Sequence, residues 1–198
     1  MLDRTEEASA AALAAEERLR ELGHTSEVTW LGEIALVAGD LPAAAEYLEA
    51  ACDAMEDRGL TGTLSGTAAR LGQVLCRLGR HDEAQALAEK ARELTDPDDV
   101  WAQVYWRQAQ ALVQSARGQH VDAERLAREA VSWAGRSDSP VLQGDALGDL
   151  AEVLEAAGLR GQAITAWQEA LDRYERKQIV PIARRTRERL TLIQQTHE

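Results

Sequence analysis

The stretch Gly79-Arg80-His81-Asp82-Glu83-Ala84 puts a histidine and two carboxylates in consecutive positions. That set could move a proton or help hold a cation. His120 stands at the matching place 39 residues on. Metal ligation would require two such histidines to converge. Equivalent residues of stacked copies stay about 10 Å apart, the separation of packed helices, so a recurring turn role is expected instead. A second candidate set is Asp145, Asp149 and Glu152, at helical spacing. Paired carboxylates do acid–base work where a cleft drives their pKa values apart. The sequence shows no such cleft, and a solvated acidic face is expected. The segment GTLSGT at 62–67 lacks the GxSxG elbow, and GxxxxGK[ST] and HExxH are absent. Cys52 and Cys76 form no CxxC or Cys/His pattern. No catalytic, cofactor-binding or metal-binding residue is assigned, no cofactor is implied, and the chain does not read as an enzyme.

Whatever these residues do, helices must position them. The 198-residue chain is 45% hydrophobic and 28% charged, which suits a folded domain. Much of its apolar content is Ala, the best helix former. The net charge of −12 repels phosphate backbones and argues against nucleic acid. Arg176 to Arg189 is locally basic, with six cations and one acid, and reads as a solvated terminal helix. The N-terminus is acidic and lacks the apolar segment of a secretory leader. No apolar run approaches the length of a membrane span. Two thiols suit a reducing compartment with free, buried cysteines. A cytoplasmic protein, with no membrane and no nucleic acid as partner, is expected.

The organising feature is repetition. Gly39, Gly79, Gly118 and Gly158 are spaced by 40, 39 and 40 residues. Five positions after each stands Ala44, Ala84, Ala123 or Ala163, and twelve after it Ala51, Ala91, Ala130 or Ala170. Leu31-Gly32, Leu71-Gly72 and Leu150-Ala151 precede three of the glycines at a fixed offset, with Gln110-Ala111 in the third copy. Apolar residues recur at helical spacing on both sides of each Gly, so each copy is helix, tight turn, helix. The alanines let the paired helices approach. Asp96 with Pro97, and Ser139 with Pro140, supply helix-start chemistry between copies. The pattern predicts about ten helices, near 2–22, 25–38, 41–57, 61–78, 81–94, 97–117, 120–135, 140–157, 160–176 and 179–196. A single hairpin cannot bury its apolar face, so the copies must stack. The N-terminal helix reads as a lone second helix of a preceding copy, and the chain could then belong to a longer solenoid.

Leu71-Gly72, Gly79, Ala84 and Ala91, with Gly158, Ala163, Trp167 and Ala170, resemble the tetratricopeptide repeat across about residues 25–176. The copies run to 39–40 residues where the family usually has 34, and the family's first-helix aromatics are largely missing. The resemblance implies an all-α fold: a right-handed α-solenoid of antiparallel helix hairpins with about 40-residue repeats. It would be a single domain over 1–198, with an N-terminal helix at 1–23, hairpin repeats at 24–60, 61–96, 97–138 and 139–177, and a capping helix at 178–198. The order of the segments from VAGDLPAAAEYLEAACDAME to ALDRYERKQIV also resembles the C-terminal repeat region of actinobacterial signalling proteins that carry cyclase-like and P-loop ATPase domains, and of large transcriptional regulators. Neither catalytic domain is present.

In such solenoids the first helices line the concave side. The resemblance places Thr29, Glu33, Arg70, Gln73, Arg77, Gln108, Asp145 and Glu152 there. The family's carboxylate clamp of Lys, Asn and Arg is not matched. Trp101, Tyr105 and Trp106 crowd one first helix and cannot all face a narrow stripe, which makes them candidate anchors unless repeat packing buries them. The expected function is a scaffold or regulatory module of a larger bacterial signalling or transcription-regulatory protein. Its groove would bind a peptide, a partner protein or another domain of the parent chain, and a homodimer is compatible with it. The alternative is a solenoid that senses a small effector and controls an attached ATPase or cyclase. An open groove with exposed Arg70 and Arg77, whose charge reversal would leave the fold intact, favours the first. A closed cavity beneath Trp101, Tyr105 and Trp106 favours the second.

Overall fold

A computed structural model describes residues 28–195 and seven earlier helical positions: 7, 10, 11, 13, 14, 17 and 18. The rest of the expected helix at 2–22, and His197, lie outside the described residues. Among the described residues there are nine helices and no strand. They are α1 (Val28–Ala38), α2 (Leu41–Asp57), α3 (Thr61–Arg77), α4 (His81–Leu94), α5 (Val100–Ala116), α6 (His120–Ala134), α7 (Pro140–Ala156), α8 (Arg160–Lys177) and α9 (Val180–Gln195).

The repeated glycines end the first helices. Gly39, Gly79, Gly118 and Gly158 all have φ between +75° and +87°. The residue after each donates its backbone N–H to a carbonyl five residues earlier, at 2.8–2.9 Å. This closes orphan carbonyls of the helix end in a conformation that costs Gly least. Asp40 and Ser139 cap α2 and α7 through Ala43 N and Leu142 N. The cap of α5 corrects the sequence reading. Asp99, and not Asp96, accepts from Ala102 N at 3.1 Å, while Asp96 accepts from Asp98 N in the preceding turn. Pro97 therefore lies before the helix, which starts three residues later than expected.

The recurring alanines are the tightest points of the core. Ala44, Ala84, Ala123 and Ala163 have no exposed surface, and neither have Ala91, Ala130 and Ala170. Each second helix (α2, α4, α6, α8) packs between two first helices, and α3 packs on α5 and α5 on α7. First helices stacked this closely along the inner side, with second helices wedged outside them, curve the array strongly. The curve returns on itself, so that α9 reaches α1. Arg185 of α9 donates to the carbonyls of Val37 (2.7 Å) and Leu36 (3.2 Å) in the last turn of α1. These carbonyls lack intrahelical partners and carry the negative end of the helix dipole, which suits a guanidinium. The expected outward display of α9 arginines is corrected here: Arg184, Arg187 and Arg189 are exposed, but Arg185 turns inward.

Candidate functional site

The curvature encloses an inner cavity of about 630 Å³. Five helices supply most of its wall: α1 (Glu33, Leu36, Val37), α3 (Arg70, Gln73, Arg77), α7 (Val141, Asp145, Gly148, Asp149, Glu152), α8 (Trp167, Tyr174) and α9 (Ile182, Arg185, Thr186, Arg189). That volume lies within the range of ordinary ligand pockets, about 300–1,000 Å³.

Two helix stripes meet across this cavity. On α3, positions 70, 73 and 77 share a face, and on α7 so do 145, 149 and 152. Arg70 binds Glu33 of α1 in a fork, Nε to Oε1 at 3.0 Å and Nη2 to Oε2 at 2.8 Å. It also lies 3.6 Å from Asp145. Arg77 reaches Asp149 at 2.5 Å and both oxygens of Glu152 at 3.1–3.2 Å. These pairs tie α3 to α7 over α5. Gln108 of α5, fully buried, supports Asp149 from below through Nε2 at 2.8 Å. Tyr174 donates its hydroxyl to Asp145 at 2.9 Å.

Burial sets the electrostatics. It pushes the carboxyls of Asp145, Asp149 and Glu152 above the usual carboxylate range, against the pull of Arg70 on the first and Arg77 on the other two. Burial also works against the charge on both arginines. Glu33, Tyr105 and Asp145 outweigh it at Arg70, and Glu152 and Asp149 outweigh it at Arg77, so both guanidiniums are held more firmly charged than usual. Burial and then Asp145 raise Tyr174 well above its ordinary value, which keeps its hydroxyl a donor.

The acidic stripe on α7 is therefore an internal ion-pair network, which corrects the expected solvated face. Arg70 and Arg77 are not free groove cations: their side chains are 12% and 26% exposed. Their charge reversal cannot leave the fold untouched, because each would set a carboxylate among carboxylates. Of the other expected groove residues, Glu33, Gln73, Asp145 and Glu152 line the cavity, whereas Thr29 and Gln108 do not. Thr29 is half-buried. The aromatic cluster on α5 lies outside the cavity wall. Trp101 is 44% exposed and meets the half-buried Tyr105 edge-on at 5.9 Å. Arg70 sits over Tyr105, and Arg107 over the half-buried Trp106. The aromatics of the wall are Trp167 and Tyr174, which the site reading omitted. Gly144 and Gly148, four apart on the facing helix, were the available signal: a Cβ at Gly144 would stand 2.8 Å from Tyr174, and one at Gly148 3.4 Å from Trp167.

The chemical candidates disperse. His81 contacts Cys76 Sγ at 3.8 Å, Asp82 pairs with Arg117, and Glu83 pairs with Arg80. Among the described residues no three of His, Cys, Asp and Glu are grouped to hold a metal. Burial pushes the free thiols of Cys52 and Cys76 up to about 12 and about 11, which disfavours thiolate chemistry. No helix among the described residues is long and apolar enough to cross a membrane.

With this geometry in hand, the similarities are interpretable. The sequence profile of the tetratricopeptide repeat matches residues 64–134. No curated protein matches the chain. Among solved structures, the crystal structure of BtubC (BKLC) from P. vanneervenii is similar at a TM-score of 0.54 and 16% identity, over 97% of this chain and 91% of that one. The crystal structure of MamA aligns at a TM-score of 0.47 and 18% identity, over 89% of this chain and 98% of that one. At such identities the BtubC likeness bears on the fold alone. From α3 to α6 the chain is a tetratricopeptide-repeat segment, set in an all-helical solenoid-like repeat fold.

Proposed function

We propose that the chain is a protein-binding module of a larger bacterial signalling or transcription-regulatory protein, and that its inner cavity receives a segment of the partner. Tetratricopeptide repeats generally serve protein–protein interaction, which supports the class of function. The observation that carries the site is the inner cavity of about 630 Å³, with apolar and charged walls drawn from five helices. Leu36, Val37, Val141 and Ile182 offer apolar contact, and the α3–α7 network offers polar anchors. A photoreactive residue at Val37 or Val141 should cross-link a polypeptide partner in the source cell. The same residue at exposed Ser132 on α6 should not. Equal adducts at all three positions would overturn the assignment.

The closure of the cavity by Arg185 against α1 favours one second reading, a small-effector sensor that controls an attached ATPase or cyclase. That reading requires a small molecule to co-purify with the protein and no polypeptide adduct at Val37 or Val141.

A further inference from the structure

The inner cavity is charged unequally. Four carboxylates, from Glu33, Asp145, Asp149 and Glu152, share two guanidiniums, Arg70 and Arg77. The other two arginines of the wall are engaged elsewhere. Arg185 binds the α1 carbonyls, and Arg189 pairs with Glu155, which is not part of the wall. Each of the four carboxylates accepts from only one or two donors, against about four lone-pair sites apiece. Gln108 gives a separate indication of the same shortage. It has no exposed surface, its Nε2 is spent on Asp149, and its Oε1 has no donor. Acceptors and negative charge are in excess beside an apolar-walled space.

We propose that this cavity binds a cationic group, an ammonium or guanidinium carried on an aliphatic stem, with its charge against Glu33, Asp145 and Glu152. The stem would lie along Leu36, Val37 and Ile182, the apolar side of the same space. A third cation brings donors to the unfilled acceptor sites and lowers the uncompensated charge, which is worth most where water is scarce. In the reading given above, the group is a lysine or arginine side chain of the partner segment, and the inference rests on that reading for its source only. A free diamine or guanidino compound presents the same chemistry.

Calorimetric titration of the whole chain with agmatine, with the blocked peptide acetyl-Gly-Arg-Gly-amide, and with glutarate as an anionic control tests the site. Agmatine or the arginine peptide should bind at least about tenfold more tightly than glutarate, a margin of about 1.4 kcal/mol. The affinity should fall as salt rises. Glu33→Gln with Asp145→Asn should weaken binding about tenfold or more. Val37→Trp, which fills the space without altering charge, should weaken it as well and serves if the double variant misfolds. Saturable binding of agmatine alone assigns a small amine. Binding of the peptide assigns a partner side chain. Failure of both cations to bind wild-type protein, or equal binding by wild type and a folded variant, overturns the proposal. Polypeptide cross-links at Val37 would then still uphold the protein-binding reading.

Discussion

The second and fourth hairpins share one spacing but close differently. In the second, Gly72 of α3 meets the Ala84 carbonyl at 3.3 Å and the Leu87 and Ala109 side chains at 3.5–3.6 Å. Its partner helix buries Ala84, Ala88 and Ala91 completely. Small residues face small residues, and nothing from α4 lines the cavity. In the fourth, the first helix gives way instead. Gly144 and Gly148 open room for Tyr174 and Trp167 of α8, and both aromatics reach the cavity wall. The same ruler thus produces a sealed joint in one copy and a side-chain passage in another. The cavity takes charge from the second hairpin and outer-helix aromatics from the fourth.

The largest test of this contrast is Asp149→Ala. It removes the carboxylate that joins Arg77 to Gln108, and stranding a buried partner costs about 3–5 kcal/mol. Asp82→Ala, which unpairs an exposed arginine on the second hairpin, should leave the urea midpoint unchanged. Similar losses would mean that the inner network is no more than surface charge. A smaller effect separates the joints. Gly144→Ala and Ala88→Leu should each cost about 1–3 kcal/mol by overpacking. Only the first should be rescued by Tyr174→Leu, and a double-mutant cycle reads that coupling. Rescue of both, or of neither, would erase the distinction between passage and sealed joint. The smallest effect is in pH. Asp145, Asp149 and Glu152 have folded pKa values above their ordinary range. The folded state therefore takes up protons first, and their contribution to stability is lost as pH rises through those raised values. Acidification from neutrality toward the ordinary carboxylate range, near pH 4, should raise stability through these groups. Asp145→Asn should flatten that rise, and an unchanged slope of unfolding free energy against pH would remove burial as the dominant influence on the network.

The hairpins were legible because their signals are local. A Gly at a left-handed turn and an Ala at the closest approach recur by offset, whatever lies beyond the copy. The α5 cap was misplaced because Asp96, Asp98 and Asp99 offer the same chemistry within four residues, and only the path of the chain chooses among them. The inner face was misjudged for a longer-range reason. Arg77 meets Asp149 and Glu152 at separations of 72 and 75 residues, and that encounter depends on curvature summed over two copies. A trace of it was present in the complementary 3–4 spacing of 70, 73, 77 and 145, 149, 152. Arg185 left no trace, because its partners are main-chain oxygens, which every residue has.

Repeat arrays are usually treated as beads that evolution or an engineer can add and delete at will. The clasp from Arg185 to the last turn of α1 withdraws that freedom here. Inserting or excising one 40-residue copy would rotate α9 away from Val37 and open the loop of helices. The copy number of this protein is therefore a structural constant, set by the circumference that one side chain can close.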